Sequence, residues 1–144
     1  MNNLTPIKVE LLDWQKAQAQ AAVIRRAVFI EEQSVPEELE WDADDTTSLH
    51  ALAWANGQAI ATGRLLPDGH IGRMAVLKPH RGHGVGQAVL VALMHAAHER
   101  GLNCLRLHAQ IDAVGFYQRQ GFEVQGDEYL EAGIPHVNME KKAR

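Results

Sequence analysis

Apolar and polar residues alternate along Ile7-Lys8-Val9-Glu10-Leu11-Leu12-Asp13, the pattern of a strand with one buried face, and Asp13 is placed to cap a following helix. From Trp14 to about Ile30 the period lengthens: Ala17, Ala21, Ile24, Ala27 and Val28 recur at helical spacing, with Gln18, Gln20, Arg25 and Arg26 on the other face. Pro36 opposes continuation of that helix. The stretch from Phe29 to Pro36, with the acidic run Glu37 to Asp45 after it, therefore predicts an irregular, exposed loop.

Two strands are predicted over Ser48 to Ala55 and Gln58 to Leu66, joined by Asn56-Gly57, a pair suited to a two-residue hairpin turn. Pro67-Asp68-Gly69 is a second turn. It leads into a strand from Ile71 to Leu77, so three consecutive strands should form an antiparallel meander. After Lys78-Pro79, glycines alternate at 82, 84 and 86, and then Val85, Ala88, Val89, Ala92, Leu93 and Ala96 mark one face of a long helix ending near Gly101. Asn103 to Ala109 reads as a strand parallel to the one before the helix, completing a βαβ unit. A shorter helix over Ile111 to Gln120, a strand opening at Gly121-Phe122-Glu123-Val124, a turn at Gly133 to His136, a strand near Val137 to Lys141 and a tail from Lys142 to Arg144 follow. The pattern is a mixed α/β sheet of six or seven strands, antiparallel first and then containing a βαβ crossover, in one domain over residues 1–144.

Composition narrows the partners. Eighteen acidic against 14 basic residues give a net charge of −4, with Lys and Arg scattered, so the basic footprint of a nucleic-acid binder is missing. The lone Cys104 excludes an intrachain disulfide, no apolar run could span a bilayer, and Met1-Asn2-Asn3-Leu4 carries no basic-then-apolar leader pattern. The expectation is a reduced, cytoplasmic protein. His80/His83 and His95/His98 have i, i+3 spacing but no carboxylate or cysteine at ligand distance, so no metal is expected.

The strand, glycine turn and helix from Ile71 to Arg100 carry the chemistry. Glycines at such a junction let backbone N–H groups approach a ligand, and the unpartnered amides of a helix start favour an anion, which suggests a phosphate-bearing molecule. Gly86 is followed by Gln87-Ala88, so the Gly-Lys-Ser/Thr ending of a nucleotide-hydrolase loop is missing, and Gly-x-Gly-x-x-Gly does not fit either. Arg81-Gly82-His83-Gly84-Val85-Gly86 instead resembles the Gln/Arg-x-x-Gly-x-Gly/Ala signature of the GNAT superfamily of N-acetyltransferases. Ala113-Val114-Gly115-Phe116-Tyr117-Gln118-Arg119-Gln120-Gly121-Phe122 resembles the Ala-x-x-Phe-Tyr-x-x-x-Gly-Phe segment found downstream in that superfamily. Phe29 to Pro36 and Tyr129 to Met139 are similar to the ElaA-like branch, so the likeness spans nearly the whole chain.

The resemblance implies a GNAT-like fold, acetyl-CoA as cosubstrate, direct transfer of acetyl to an amine, and a homodimer. It places Met74, Ala75 and Val76 along the pantetheine arm and Arg81, Gly82, His83, Gly84, Val85, Gly86 and Gln87 at the pyrophosphate. Phe116 and Tyr117 complete the coenzyme side, together with Gln110 or Asp112 where relatives often carry an asparagine. Tyr117 matches the position that protonates the departing thiolate, and a backbone N–H near Val76 would polarise the thioester carbonyl. For the base that frees the amine, Glu31, Glu32, His136 and a water remain as candidates. Glu31 and Glu32, with the acidic run after them, would also draw a cationic acceptor. A rival reading keeps the fold as a non-catalytic acetyl-CoA-binding module.

Overall fold

The computed structural model describes residues 6–142; residues 1–5 and the last two positions of the predicted tail lie outside the described residues. β1 (Lys8–Leu12) runs into α1 (Trp14–Arg25), whose start is capped as expected, the Asp13 carboxylate accepting from the Lys16 N–H at 3.0 Å. The helix does not stop at Arg25. It widens into a π-helical stretch, Arg26–Glu32, so the predicted loop begins only at Gln33.

β2 (Leu49–Ala55), β3 (Gln58–Leu65) and β4 (Ile71–Val76) extend the meander into an antiparallel sheet of order β1-β2-β3-β4. Asn56 and Gly57 both sit at positive φ, 52° and 75°, as the tight hairpin turn requires. Between Thr62↔Ala75 and Arg64↔Gly72 the register slips, so Arg73 and Met74 together face Gly63. Arg73 holds φ at 50°, and this bulge bends β4 and increases its twist.

α3 (Val85–Glu99) crosses from β4 to β5 (Cys104–Gln110), and α4 (Val114–Gln118) leads to β6 (Glu123–Glu131) and β7 (Ile134–Lys142). The expected crossover is present, but β4 and β5 are not continuously paired. They meet at one parallel bridge, His70↔Arg106, with the Arg106 N–H donating to the Gly69 carbonyl at 3.1 Å. Beyond it the bulged β4 turns away, and the described residues form two sheets, the second ordered β5-β7-β6. β7 begins at Ile134 rather than near Val137. Ala132 and Gly133, at φ 52° and 77°, make the tight turn, so His136 lies within a strand and not in a turn.

α3 packs on the first sheet and buries Val85, Val89, Leu90, Leu93, Ala96 and Ala97 in one core with Ile60 and Leu65 of that sheet and Leu107 and Met139 of the second. Each such fully buried aliphatic side chain stabilises the fold by roughly 1.5–3 kcal/mol. The helix lies flush on β3 because Gly63 has no side chain: a Cβ there would stand 3.0 Å from both Val89 and Leu93. On the opposite face Ala17, Ala21 and Ile24 of α1 pack on Leu52, Ala59 and Ala75.

The acidic run is not a solvated loop. It forms α2 (Glu37–Glu40) and a 3₁₀ turn, Ala43–Thr47, and buries Glu40 and Asp45. Arg25, itself buried, donates to Glu40 Oε2 at 2.7 Å, to the Glu40 carbonyl at 2.8 Å and to Asp45 at 2.8 Å, while lying against the rings of Trp14 and Trp41. Arg64 joins Asp45 to Asp42, and Arg73 reaches Glu40 and Asp42. The hydrogen bonds from Arg64 hold the Asp42 carboxyl below its ordinary range. Glu40, Asp42 and Asp45 are thus paired with three guanidiniums, which offsets their charge within the fold.

Candidate active site

The turn between β4 and α3 begins with a 3₁₀ stretch, Lys78–His80, and passes through Gly82 at φ 80° and Gly84 at φ 79°, a region costly for residues bearing a Cβ. Gly84 is the N-cap of α3 and no side chain caps the helix; its first intrahelical bond runs from the Ala88 N–H to the Gly84 carbonyl at 3.1 Å. The N–H groups of Val85, Gly86 and Gln87 precede that bond. They point out of the helix start, where the dipole favours a negative group. Gly86 differs from its neighbours in having no positive φ; it sits where the end of β4, α3 and α4 meet, and a Cβ there would lie at ordinary contact distance, 3.5 Å from Val76 and 3.6 Å from Phe116.

Arg81, expected among the pyrophosphate residues, is engaged within the protein. Its Nε donates to the Val76 carbonyl at 2.9 Å and its two terminal nitrogens donate to the Glu32 carboxylate at 2.6 and 2.7 Å. That pairing holds the Glu32 carboxyl below its ordinary range and makes it a poor proton acceptor. Glu31 is exposed and does not line the cavity described below. His83 is exposed on the turn.

Where β4 leaves β5, one edge of β4 is open. The Leu77 N–H bonds the Ile60 carbonyl on β3, so by strand alternation the N–H of Val76 faces the cleft, on the same side as its carbonyl. Met74 precedes it at the same phase, and Ala75 turns its side chain into the core under α1. Across the cleft Tyr117 projects from α4, its ring edge-on to Phe116 at 5.0 Å and to Phe122 at 6.0 Å. Burial pushes its hydroxyl up to about 12, so at neutral pH the phenol keeps its proton. The Gln110 amide donates to the Gln33 side chain at 2.8 Å, linking β5 to the end of the π-helical stretch.

A cavity of about 730 Å³ opens here, with Met74, Arg73, Phe29, Gln110, Tyr117 and His136 in its wall. The structure therefore brings Tyr117, Gln110 and His136 to one space and leaves Glu31 and Glu32 outside it. Arg73, His108 and Glu131 also line the cavity and were not singled out by sequence reasoning. Period-two alternation on β5 and β6 would have placed His108 with Gln110 and Glu131 with Tyr129 on one face, had the second hairpin been recognised. Among the described residues no group of three His, Cys, Asp or Glu side chains converges as a metal site would require. No helix of the described residues is long and apolar enough to cross a membrane.

The family profile described as an acetyltransferase (GNAT) domain matches residues 12–143. The protein YyaT of Bacillus subtilis is 41% identical over 129 residues, covering 85% of this chain and 87% of its own length. The protein ElaA of Escherichia coli is 34% identical over 128 residues, covering 83% of both chains. The crystal structure of Escherichia coli ElaA superposes with a TM-score of 0.86 over 95% of this chain and all of its own, at 29% identity. An acyl-CoA N-acyltransferase from Pseudomonas aeruginosa gives 0.85 over 94% and 99%, at 30% identity. With a family profile matched over nearly its whole length and relatives of this kind, the chain belongs to the GNAT acetyltransferase family, an assignment that supports acyl-CoA-dependent N-acyltransferase activity.

Proposed function

We propose that this protein transfers an acetyl group from acetyl-CoA directly to a primary amine of a small molecule or peptide. One juxtaposition carries the reading: the uncapped start of α3 and the Phe116-Tyr117 pair flank the same open edge of β4, with Gly86 at their meeting point. The pyrophosphate sits on the amides of Val85, Gly86 and Gln87, with Gly82 and Gly84 shaping the turn. The pantetheine arm lies along Met74 to Val76. The Val76 N–H donates to the thioester oxygen, where negative charge develops. The acceptor enters through the cavity beside Arg73 and His136. Attack forms the C–N bond and breaks the C–S bond, and the Tyr117 hydroxyl gives its proton to the thiolate.

His136 is the acceptor-side base in this reading, and Arg81 and Glu32 hold the coenzyme turn against the π-helical stretch. The test is release of free thiol from acetyl-CoA across a panel of amines, compared with longer acyl-CoA donors. Amine-dependent release fastest with acetyl-CoA is expected. Tight coenzyme A binding with no release for any amine would favour the non-catalytic module, and a preference for a longer acyl group would overturn the acetyl assignment.

A further inference from the structure

The cleft-facing side of the second sheet surrounds His136 with side chains to which the acyl-transfer chemistry above gives no role. His136 Nδ1 lies 2.7 Å from the Ile134 carbonyl, and a carbonyl only accepts, so Nδ1 carries the hydrogen and the neutral ring keeps its lone pair on Nε2. That Nε2 stands 3.7 Å from Glu131 Oε2. The other carboxylate oxygen, Oε1, accepts from His108 Nδ1 at 2.8 Å, which fixes His108 in the same tautomer. One carboxylate is therefore shared by two imidazoles. The Tyr129 ring orients both, stacking on His136 at 6.2 Å and meeting His108 edge-on at 6.1 Å, and is itself held by a 2.6 Å bond from its hydroxyl to Asn138. Exposure rises outward along the cluster: the His136 side chain is 8% exposed, Glu131 42% and His108 46%, with His70 and its partner Asp68 beyond.

Resting on the transferase reading above, we propose that Glu131 and His108 are positioning residues that make His136 the base for a cationic amine acceptor. The ammonium N–H bond breaks, its proton passes to His136 Nε2, and the nitrogen keeps the electron pair that attacks the thioester. The imidazolium so formed faces the Glu131 carboxylate, which offsets the charge gained by a nearly buried ring. His108, donating to the far oxygen, keeps the carboxylate turned toward His136. The second proton shed by nitrogen as the amide forms balances the one that Tyr117 gives to sulfur, and the proton on His136 leaves through the exposed end of the cluster. The site accordingly favours amines that are protonated in solution, since only they need this unit.

Two measurements test this. In the resting protein, ¹⁵N spectra of the imidazoles should give the Nδ1–H tautomer for both His108 and His136, with His108 shifting toward Nε2–H in Glu131→Ala. The other tautomer at His136 in the wild type would overturn the inference whatever the protein catalyses. In kinetics, Glu131→Gln and His136→Gln should lower kcat/KM about 10²-fold for an alkylammonium acceptor, and less than about threefold for hydroxylamine, which is uncharged at the same pH. Affinity for acetyl-CoA should hold, and Glu131→Asp should recover part of the loss. If His136→Gln does not fold, Glu131→Gln, altered at an exposed position, carries the comparison alone. Equal losses for both acceptors would overturn the inference and leave the transferase intact, whereas a wild type that releases no thiol with any amine would overturn both.

Discussion

The Arg81 guanidinium and the Glu32 carboxylate, 49 residues apart in sequence, form two parallel hydrogen bonds of 2.6 and 2.7 Å that join the glycine turn before α3 to the end of the π-helical stretch. Bidentate geometry of this kind fixes orientation as well as distance. The turn is thereby held by a side chain on the far side of the first sheet.

This pair predicts a pH signature. Pairing with Arg81 places Glu32 below its ordinary value of 4.5 in the folded state, so its contribution is present above pH 4.5 and is lost as the pH falls through the lower, folded value. The pair is partly exposed, and pairs of that kind contribute about 1 kcal/mol or less. Thermal melts of wild type and Glu32→Gln should differ by a few degrees at neutral pH and converge as the pH falls through the lowered, folded value of Glu32. Glu32→Gln should also keep kcat within tenfold of wild type, whereas loss of the catalytic base would cost about 10²–10⁴. A loss of that size would restore Glu32 as the base.

Tyr117→Phe keeps the ring packed against Phe116 and Phe122 and removes only the hydroxyl. The fold and the affinity for coenzyme A should be unchanged, and kcat should fall by about 10²–10⁴ under conditions where chemistry limits the rate. Because burial raises the phenol to about 12, wild-type activity should show no loss from its ionisation between pH 7 and about pH 10. Full activity in the variant would reduce Tyr117 to a packing role.

Arg25 is the centre of the buried ion network, and Arg25→Met would leave Glu40 with Arg73 alone and Asp45 with Arg64 alone, each short of its most buried partner. Breaking a buried pair in this way costs about 3–5 kcal/mol, to be read as a lower midpoint in urea. Lysine should recover little, because one ammonium cannot reproduce a fork that meets two carboxylates and a carbonyl. A stable Arg25→Met protein would show that these carboxylates take up protons at little cost.

Gly84 has open space where a Cβ would stand but a φ of 79°, so substitution there strains the backbone without a clash. Gly84→Val should cost roughly 1–2 kcal/mol and weaken coenzyme A binding measured by calorimetry, while Gly84→Asn, better suited to this conformation, should retain more of both. Equal affinity in all three proteins would remove the helix start from the binding site.

The hairpin at Asn56-Gly57, the Asp13 cap, the Gly101 helix end and the stripe on α3 were legible because each is decided by residues within a turn or two of one another. So was the glycine turn before α3, whose backbone conformation depends on its own glycines. The ion network was not. Glu40 and Asp45 read as solvated because their partners Arg25, Arg64 and Arg73 lie on three other elements, and only the folded sheet brings them together. Position within a strand was equally hidden at Ala132, a residue that seldom adopts positive φ; missing that turn kept His136 out of β7 and concealed its neighbours Glu131 and His108. At the bulge the positive φ falls on Arg73 rather than on its neighbour Gly72, so the glycine there does not reveal it.

A strand with an unpaired side ordinarily invites a strand from another molecule, and proteins guard such sides with charges, bulges or covering segments. Past His70 and Arg106 the divergence of β4 and β5 leaves two of them, but they face one another across a wedge within a single chain. A second copy would have to drive a whole twisted sheet into that wedge, whereas one slender arm bearing amide groups can enter along its length. The facing sides of β4 and β5 are thus shielded from pairing with another chain by the same spacing that, in the proposed reading, admits the coenzyme. A β4 without the bulge would run on beside β5 and join the two halves into one continuous sheet.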